Sequence, residues 1–445
     1  MGKQCYLGRS NKRYKYFLMW VLCDINAAYV SFIQLFNPQY DINSTPLGVL
    51  SSNQGNIIAR NQPMKALGIK MGEPHFRIKE LIQSSNGHVW GSNFTLFGDM
   101  SNRFHTELEE LMFDCHRYSI DESFGRIDST MAPNPKSYAL HIKNTLAKNL
   151  GIGVGVGVAH TKTLAKLASH AAKLNEWKAK TNGVAVLDTP LKVDWVLQRV
   201  KTRDVWGVGS KTAEKLSSLG ITSGLELKNF NVVEAKRKFG VVLSRTIQEL
   251  NGVNAVELKD LNEGRDSICV SKSMGKLVSD LNELKSALSS HVSTGAGKLR
   301  RFELFTNSMT IFVSTDVFRS SQPQLSKSIQ VNLPFHCADC DVLIKYAMFG
   351  LRQIYQEGYL FKKVGVIFNQ LLSKNDHQQL NLFVDSGISN VNKKTTVSDE
   401  INSKFGNNVI RFGVQGFKQE WKPKDDLAPK SYTTNLKELP VALAK

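Results

Sequence analysis

The 445-residue chain has little cysteine, no long apolar run and too few acids to balance its bases. Its six cysteines (Cys5, Cys23, Cys115, Cys269, Cys337, Cys340) are scattered, which excludes a disulfide framework and suits a reducing cytoplasm. Cys337-Ala338-Asp339-Cys340 has CxxC spacing, but a structural zinc site needs a second such pair and the sequence has none. The longest apolar run near the N-terminus, Tyr16 to Cys23, falls far short of the ~20 residues a spanning helix needs. It also runs straight into Asp24, unlike a signal peptide, and no segment reads as an amphipathic anchor, so no membrane partner is expected. The shortage of acid is the most telling absence. Lys and Arg total 57 against 39 Asp and Glu, a formal charge of +18. A surplus that large opposes folding through self-repulsion and usually serves a polyanionic partner.

The length suggests about three domains, and 42% hydrophobic with 22% charged residues reads as globular. Residues 1–18 carry Lys3, Arg9, Lys12, Arg13 and Lys15 and no acid. They read as a basic extension, either disordered or upstream of a start at Met19.

Three of the scarce acids are well placed. Asp24 ends the apolar run Trp20-Val21-Leu22-Cys23, and about a hundred residues later comes Tyr118-Ser119-Ile120-Asp121-Glu122-Ser123-Phe124. Both segments read as strands ending at one point. Carboxylates gathered there repel one another and lose solvation, so a fold rarely keeps them without divalent cations. The pattern suits a two-metal site for phosphoryl transfer. Asp121 and Glu122 can share such a site only where the hairpin bends, because neighbours on a flat strand face opposite ways. A polymerase, a two-metal nuclease and a DNA-binding module with its chemistry lost all stay open at this point.

Gly151 to Val158 alternates glycine with β-branched residues, a strand with one bare face that another element can approach closely. Val156 breaks any GxGxxG, so a dinucleotide fold gets little support. Thr161 to Lys173 reads as a helix carrying Lys162, Lys166 and Lys173 on one stripe. Such a stripe is usually a solvated face, but here it follows a central strand, where anions are often held. Residues 161–215 hold 11 Lys/Arg against 5 Asp/Glu. Within them, Trp206-Gly207-Val208-Gly209-Ser210-Lys211 opens a helix that runs to Leu219 and stops at Gly220. This is like a helix-hairpin-helix, with the backbone at Gly207 and Gly209 and the side chains of Lys211 and Lys215 aimed at DNA phosphates.

From about Ser267 to Leu372 strands and two helices (Leu281–Leu299, Val342–Gln356) read as a compact α+β domain, with Lys298, Arg300 and Arg301 as candidate phosphate contacts. The last seventy residues are polar, Lys- and Asn-rich and poor in periodicity. They read as a tail with short linear motifs rather than another core.

Taken together, Cys23-Asp24-Ile25-Asn26-Ala27-Ala28-Tyr29, Ile58-Ala59-Arg60-Asn61, Lys65 to Gly72, Tyr118 to Glu122, Thr161 to Ala168, Val205 to Gly209, Gln379 to Phe383 and Tyr432-Thr433-Thr434 resemble Y-family translesion DNA polymerases. The resemblance runs from about Met19 to Thr434. It implies an α+β multidomain right hand with a ferredoxin-like palm, small fingers, a helical helix-hairpin-helix thumb and an α/β little finger. The palm would span 19–192 with fingers inserted at about 38–86, the thumb 193–264, the little finger 265–372 and a C-terminal tail 373–445. The implied activity is error-prone, template-directed synthesis on damaged DNA by two-metal nucleotidyl transfer, in the SOS response. Asp24, Asp121 and Glu122, with the carbonyl of Ile25, would hold two Mg²⁺, with Mn²⁺ as an alternative. Tyr29 would be the steric gate against ribose, and Ala59, Gln62, Lys65 and Lys173 would meet the incoming dNTP. Gly55 and Ile57 fall beside Ala59 over the nascent pair, and Gln62 stands where other branches place a tyrosine. Ala28 replaces an aromatic usual beside the gate, which implies weaker exclusion of ribonucleotides.

Gln379, Leu380, Leu382 and Phe383 look like a sliding-clamp-binding peptide, apolar anchors stranded in a polar tail. Phe405 to Thr434 is similar to a region specific to the branch that works with a processed UmuD dimer and an activated RecA filament. The implied partners are thus primer-template DNA, dNTP, that dimer, that filament and the clamp, in the cytoplasm at the nucleoid.

Overall fold

The apolar run that leads into Asp24 folds as a strand covered on both faces, with Val21, Leu22 and Cys23 fully buried. The computed structural model describes residues 18–51, 55–128, 134–173, 181–258, 265–319, 321–373, 393–406, 409–423 and 426–441. The basic extension before residue 18 and the clamp peptide at Gln379–Phe383 lie outside the described residues.

In chain order, β1 (Leu18–Ile25) leads to α1 (Ala28–Gln34), β2 (Leu47–Leu50), β3 (Ile57–Arg60), α2 (Gln62–Ala66), α3 (His75–Ser84) and β4 (His88–Gly91). Next come α4 (Phe94–Leu111), β5 (Phe113–Arg117), β6 (Glu122–Asp128), α5 (Pro135–Leu150), β7 (Val154–Ala159), α6 (Lys162–Lys173) and β8 (Val184–Leu187). One sheet has the order β5-β6-β1-β7-β8, with β1 antiparallel to both neighbours. The two-residue period of β1 assigns its side chains to two cores. Met19, Val21, Cys23 and Ile25 pack toward α1, α4 and α5, whereas Trp20 and Leu22 pack toward α6.

The bare face of β7 is used as the alternation predicts. A Cβ on Gly157 would stand 2.1 Å from the Ala165 carbonyl oxygen and 2.2 Å from the Ser169 nitrogen, both backbone atoms of α6. Only glycine lets that helix lie so close, and the approach brings its lysines over the end of β1.

The inserted segment forms a small sheet, β3-β2-β4, pinned by buried Asn61. Its carboxamide oxygen accepts from the Leu47 and Met64 N–H groups, and its nitrogen donates to the Ile42 and Thr45 carbonyls. The sheet needs β4 at His88–Gly91, past the expected end of the insertion near residue 86.

Five short helices (Pro190–Leu197, Ser210–Ser217, Gly224–Asn229, Val232–Phe239, Val241–Leu250) cover the Trp20 face together with α6. A third sheet joins β9 (Ile268–Val278), β10 (Leu304–Thr315), β11 (Ser326–Cys337) and β12 (Phe361–Ser373), antiparallel in the order β11-β10-β12-β9. The helices Leu281–Arg301 and Cys340–Ile354 pack against it over a separate core that also buries Cys337 and Cys340. Among the described residues no helix is long and apolar enough to cross a membrane.

The C-terminal region corrects the reading of a tail. It forms a helix, Lys393–Phe405, and then buries Gln415 and Trp421 against the third-sheet core. Further on, Tyr432 stacks on Phe36 next to α1, ring centroids 4.6 Å apart. These anchors dock on surfaces made by other segments rather than on one another, so they leave no local period to read.

Candidate active site

The β1–β6 register sets Asp24 directly opposite Glu122, so the two carboxylates leave the same face of the sheet. Asp121 lies in the bend just before β6, where its carbonyl accepts from the Ile25 N–H at 3.0 Å. The bend frees Asp121 from strand alternation, as sharing of a site requires. It is held from several sides. The Tyr118 and Ser119 N–H groups both donate to the Glu122 carbonyl, and the Ser119 hydroxyl donates to Asp121 Oδ1 at 2.7 Å. Beneath it, α4 supplies Ser101, whose hydroxyl donates to the Ile120 carbonyl at 2.6 Å, and His105.

His105 Nε2 lies 2.9 Å from the Ser119 carbonyl and Nδ1 2.7 Å from the Ser123 hydroxyl. A carbonyl only accepts, so Nε2 carries the hydrogen. Burial lowers the ring's pKa and keeps it neutral, and Nδ1 then accepts from Ser123.

Burial raises the pKa of Asp24, opposed by Lys173 and reinforced by Asp121. Glu122 is raised in the same way, by burial first, with Lys166 opposing and Asp24 and Asp121 adding. The compensation is direct: Lys173 Nζ sits 2.6 Å from Asp24 Oδ1 and Lys166 Nζ 2.8 Å from Glu122 Oε2. The lysine stripe of α6 is therefore no solvated face at these two positions. Its third member, Lys162, is buried over the Trp20 ring at 4.1 Å and donates to the Val256 carbonyl at 2.5 Å. Among the described residues no three carboxylate, thiol or imidazole groups close into a preformed metal cage. Each acid is instead held by an ammonium or hydroxyl donor. Hard oxygen donors on one face, crowded and partly desolvated, with ammonium groups standing on two of them, fit a hard divalent cation of the Mg²⁺ kind.

Tyr29 stands in the first turn of α1, which is preceded by Ala27 in the left-handed region (φ 48°). Its ring is stacked on Phe97 (4.4 Å, 13°) and edge-on to Phe94 (6.1 Å, 81°). Burial, then Asp121, raises its phenol pKa. The aromatic support expected from position 28 thus comes from α4, and Ala28 itself is buried in the core.

Lys65, in the last turn of α2, has its pKa lowered by lost solvation and then by Arg60 and Lys173, with Asp24 opposing. Arg60, Lys65 and Lys173 therefore share one region beside Asp24, a cationic group suited to a triphosphate. The Arg60 guanidinium also donates to the Ile69 carbonyl. Gln62 is exposed at the start of α2. Ala59 departs from expectation: β3 alternates, so Ile57 and Ala59 are buried while Ile58 and Arg60 take the more open face.

In the helical region Gly207 adopts φ +89°, with Thr246 Oγ1 only 2.6 Å from where a Cβ would stand. Gly209 caps the Ser210–Ser217 helix, on which Lys211 and Lys215 are exposed. Trp206, just before this turn, donates from Nε1 to the Tyr118 hydroxyl at 3.1 Å, and Lys166 Nζ lies 4.8 Å from the Tyr118 ring. The turn thus abuts the neighbourhood of Glu122. Arg300 does not present itself to phosphate. It is bound to Asp399 at 2.5 and 2.7 Å and to the Ala338 carbonyl, fastening the Lys393–Phe405 helix to the third-sheet domain. Lys298 and Arg301 are exposed.

Sequence reasoning left Arg60, Phe97, Ser101, His105 and the carboxylate role of Lys166 unassigned. Phe94, Phe97, Ser101 and His105 fall at helical spacing on one face of α4, a signal that groups them without showing what that face meets.

Comparison with known proteins gives the family and the fold. Residues 23–170 match the impB/mucB/samB family, residues 265–382 that family's C-terminal domain, and residues 395–442 a domain of unknown function, DUF4113. Protein UmuC of Salmonella typhimurium is 36% identical over 425 residues, 95% of this chain and 99% of that protein. Protein MucB of Escherichia coli is 32% identical over 430 residues, 96% of this chain and all of that one. DNA polymerase IV of Ureaplasma parvum is 24% identical over 375 residues, covering 81% of this chain and 96% of that protein. In structure, the Y-family DNA polymerase chimera Dbh-Dpo4(243-245)-Dbh superposes with a TM-score of 0.62 at 19% identity, over 80% of this chain and 99% of that one. That likeness shows the fold: palm, fingers, thumb and little finger.

Proposed function

The chain belongs to the impB/mucB/samB family of Y-family DNA polymerases, and from this we infer that Asp24, Asp121 and Glu122 carry a two-metal nucleotidyl transfer. The protein is an error-prone, template-directed DNA polymerase of translesion synthesis in the SOS response. The observation that carries the site assignment is the pairing of Asp24 with Glu122 across β1 and β6, with Asp121 in the adjoining bend.

Two Mg²⁺ held by these carboxylates and the Ile25 carbonyl would supply a lowered pKa for the primer 3′-OH and neutralisation of the leaving pyrophosphate. The chain's own side chains do the rest. Lys65 and Lys173 receive the triphosphate as point charges beside the planar guanidinium of Arg60, and Lys173 exchanges Asp24 for phosphate oxygen as the nucleotide enters. Lys166 keeps Glu122 ionised until its charge is needed. Tyr29, braced by Phe97, fills the space a ribose 2′-OH would take. Lys211 and Lys215 hold the duplex backbone without reading sequence. The processed UmuD dimer, the RecA filament and a sliding clamp engaged through Gln379–Phe383 complete the working assembly at the nucleoid.

Primer extension across an abasic site, with and without processed UmuD and RecA filament, tests the activity. Extension is expected with Mg²⁺ and is lost when the metal is chelated. Asp121→Asn should slow it by about a thousandfold or more, the equivalent of several kcal/mol of lost charge stabilisation. Cleavage of the primer would point to a nuclease, and binding without either reaction to a module that has lost its chemistry.

A further inference from the structure

The C-terminal region crosses from the little finger to the palm and fingers and is fastened at both ends. On the little finger, the Trp421 carbonyl accepts from the Gly275 N–H at 2.8 Å, and its indole N–H donates to the Ser286 hydroxyl at 3.0 Å. The Trp421 ring is buried edge-on to His291. Lys276 adds an ion pair to Glu420 at 3.0 Å. A Cβ on Gly275 would meet backbone atoms at Lys422 and Pro423, 2.8 and 2.7 Å away, so the segment lies flat on β9.

A few residues further along, the Leu427 carbonyl accepts from the Gly91 N–H at 2.7 Å, at the end of β4. The Asn93 side-chain nitrogen donates to the Pro429 carbonyl at 3.0 Å and to the Ser431 hydroxyl at 3.1 Å. Tyr432 stacks on Phe36, and its hydroxyl accepts from Asn37 at 3.3 Å. A separate contact joins fingers to little finger. Arg77 on α3 donates to the Phe318 carbonyl at 2.9 Å and lies over its ring, while Arg319 lies over Phe76.

Domains joined by a single crossing of the chain move relative to one another by default. A second connection, anchored at both ends, raises the effective concentration of each domain at the other. We propose that the domain of unknown function is an internal strap, which holds the little finger at a fixed station against palm and fingers and so retains the DNA bound between them. The retention of DNA rests on the polymerase reading; the strap itself does not.

Three variants of the full chain test it. Asn93→Asp keeps the oxygen that caps α4 through the Leu96 N–H but turns an oxygen toward the Pro429 carbonyl. Tyr432→Ala removes the stack on Phe36, and Gly275→Val lifts the segment from the opposite end. Dyes at exposed Lys148 and Gln353 report the distance between palm and little finger. The parent should give one narrow distance distribution and each variant a broadened one, with primer-template dissociating about tenfold faster. Asn93→Asp and Gly275→Val act at opposite ends and share no neighbour, so agreement between them separates release of the strap from local misfolding. An unchanged distance distribution in all three overturns the proposal, whether or not DNA dissociates faster. A parent that extends no primer overturns the polymerase reading alone, because the distance measurement is independent of it.

Discussion

His105 is buried with both ring nitrogens engaged, one on the Ser119 carbonyl and one on the Ser123 hydroxyl, on either side of Asp121 and Glu122. With Asp121 read as a metal ligand, we assign His105 the role of positioning the bend that carries it. Replacing His105 with Phe takes the donor from the Ser119 carbonyl and one of two partners from the Ser123 hydroxyl, which also meets the Cys115 thiol, at a cost of about 1–3 kcal/mol. The bend can relieve that cost by shifting Asp121. His105→Phe is therefore expected to lower kcat for nucleotide insertion by about tenfold to a hundredfold, with KM for dNTP little changed. His105→Gln, which can still donate to the Ser119 carbonyl, should restore part of it. A rise in KM with kcat intact would place His105 on the nucleotide side instead. Little in the sequence marks His105, because a lone histidine on an amphipathic helix looks the same whether it meets solvent or a catalytic bend.

Among elements, the Leu281–Arg301 helix carries a second buried histidine with a different consequence. His291 packs against Trp421, and among the described residues its Nε2 has no hydrogen-bond partner. Burial, with the nearby charges of Lys272 on β9 and Lys422 on the strap, lowers its pKa from 6.5 to about 4. The unfolded chain then binds more protons than the folded one between those values, so this contribution to stability is complete above about pH 6.5 and is lost as pH falls toward 4. The loss is of order 3 kcal/mol across that range. Urea midpoints of the parent should drop between pH 7 and 4.5 by more than those of His291→Phe, and equal drops would refute the assignment. Element by element, legibility follows local pattern. α6, β7 and the GxG turn stand close to where spacing places them, since glycine alternation and helical periodicity are short-range signals. The Lys393–Phe405 helix left no such signal: its sequence is mostly polar, and the Arg300–Asp399 pair that fastens it comes from 99 residues away.

At the scale of the whole molecule, the formal charge of +18 makes binding to DNA strongly dependent on salt. Lys211→Ala with Lys215→Ala should weaken primer-template binding about equally for all sequences. The slope of log K against log salt should become shallower by about 1 for each phosphate that a lysine no longer neutralises. Titrations of the parent and the double variant at several salt concentrations decide it: an unchanged slope would take these lysines off the DNA backbone.

The sequence by itself brought three carboxylates to one point and narrowed their use to a polymerase, a nuclease or a DNA-binding module. A strand ending in Asp24 and a bend carrying Asp121 and Glu122 are local features, and oxygen donors at such points admit few uses. It also determined the close seat of α6, because no residue but glycine at position 157 permits it. Only the tertiary structure decided which cations neutralise the acids, that Ala59 turns inward, that Arg300 is occupied and that the C-terminal region is a strap. Each of these depends on partners that packing alone brings together, as Asn37 and Tyr432 meet from positions 395 residues apart. Pairings at that separation leave no period or spacing in the chain, since the surfaces that select them exist only once the separate cores have formed.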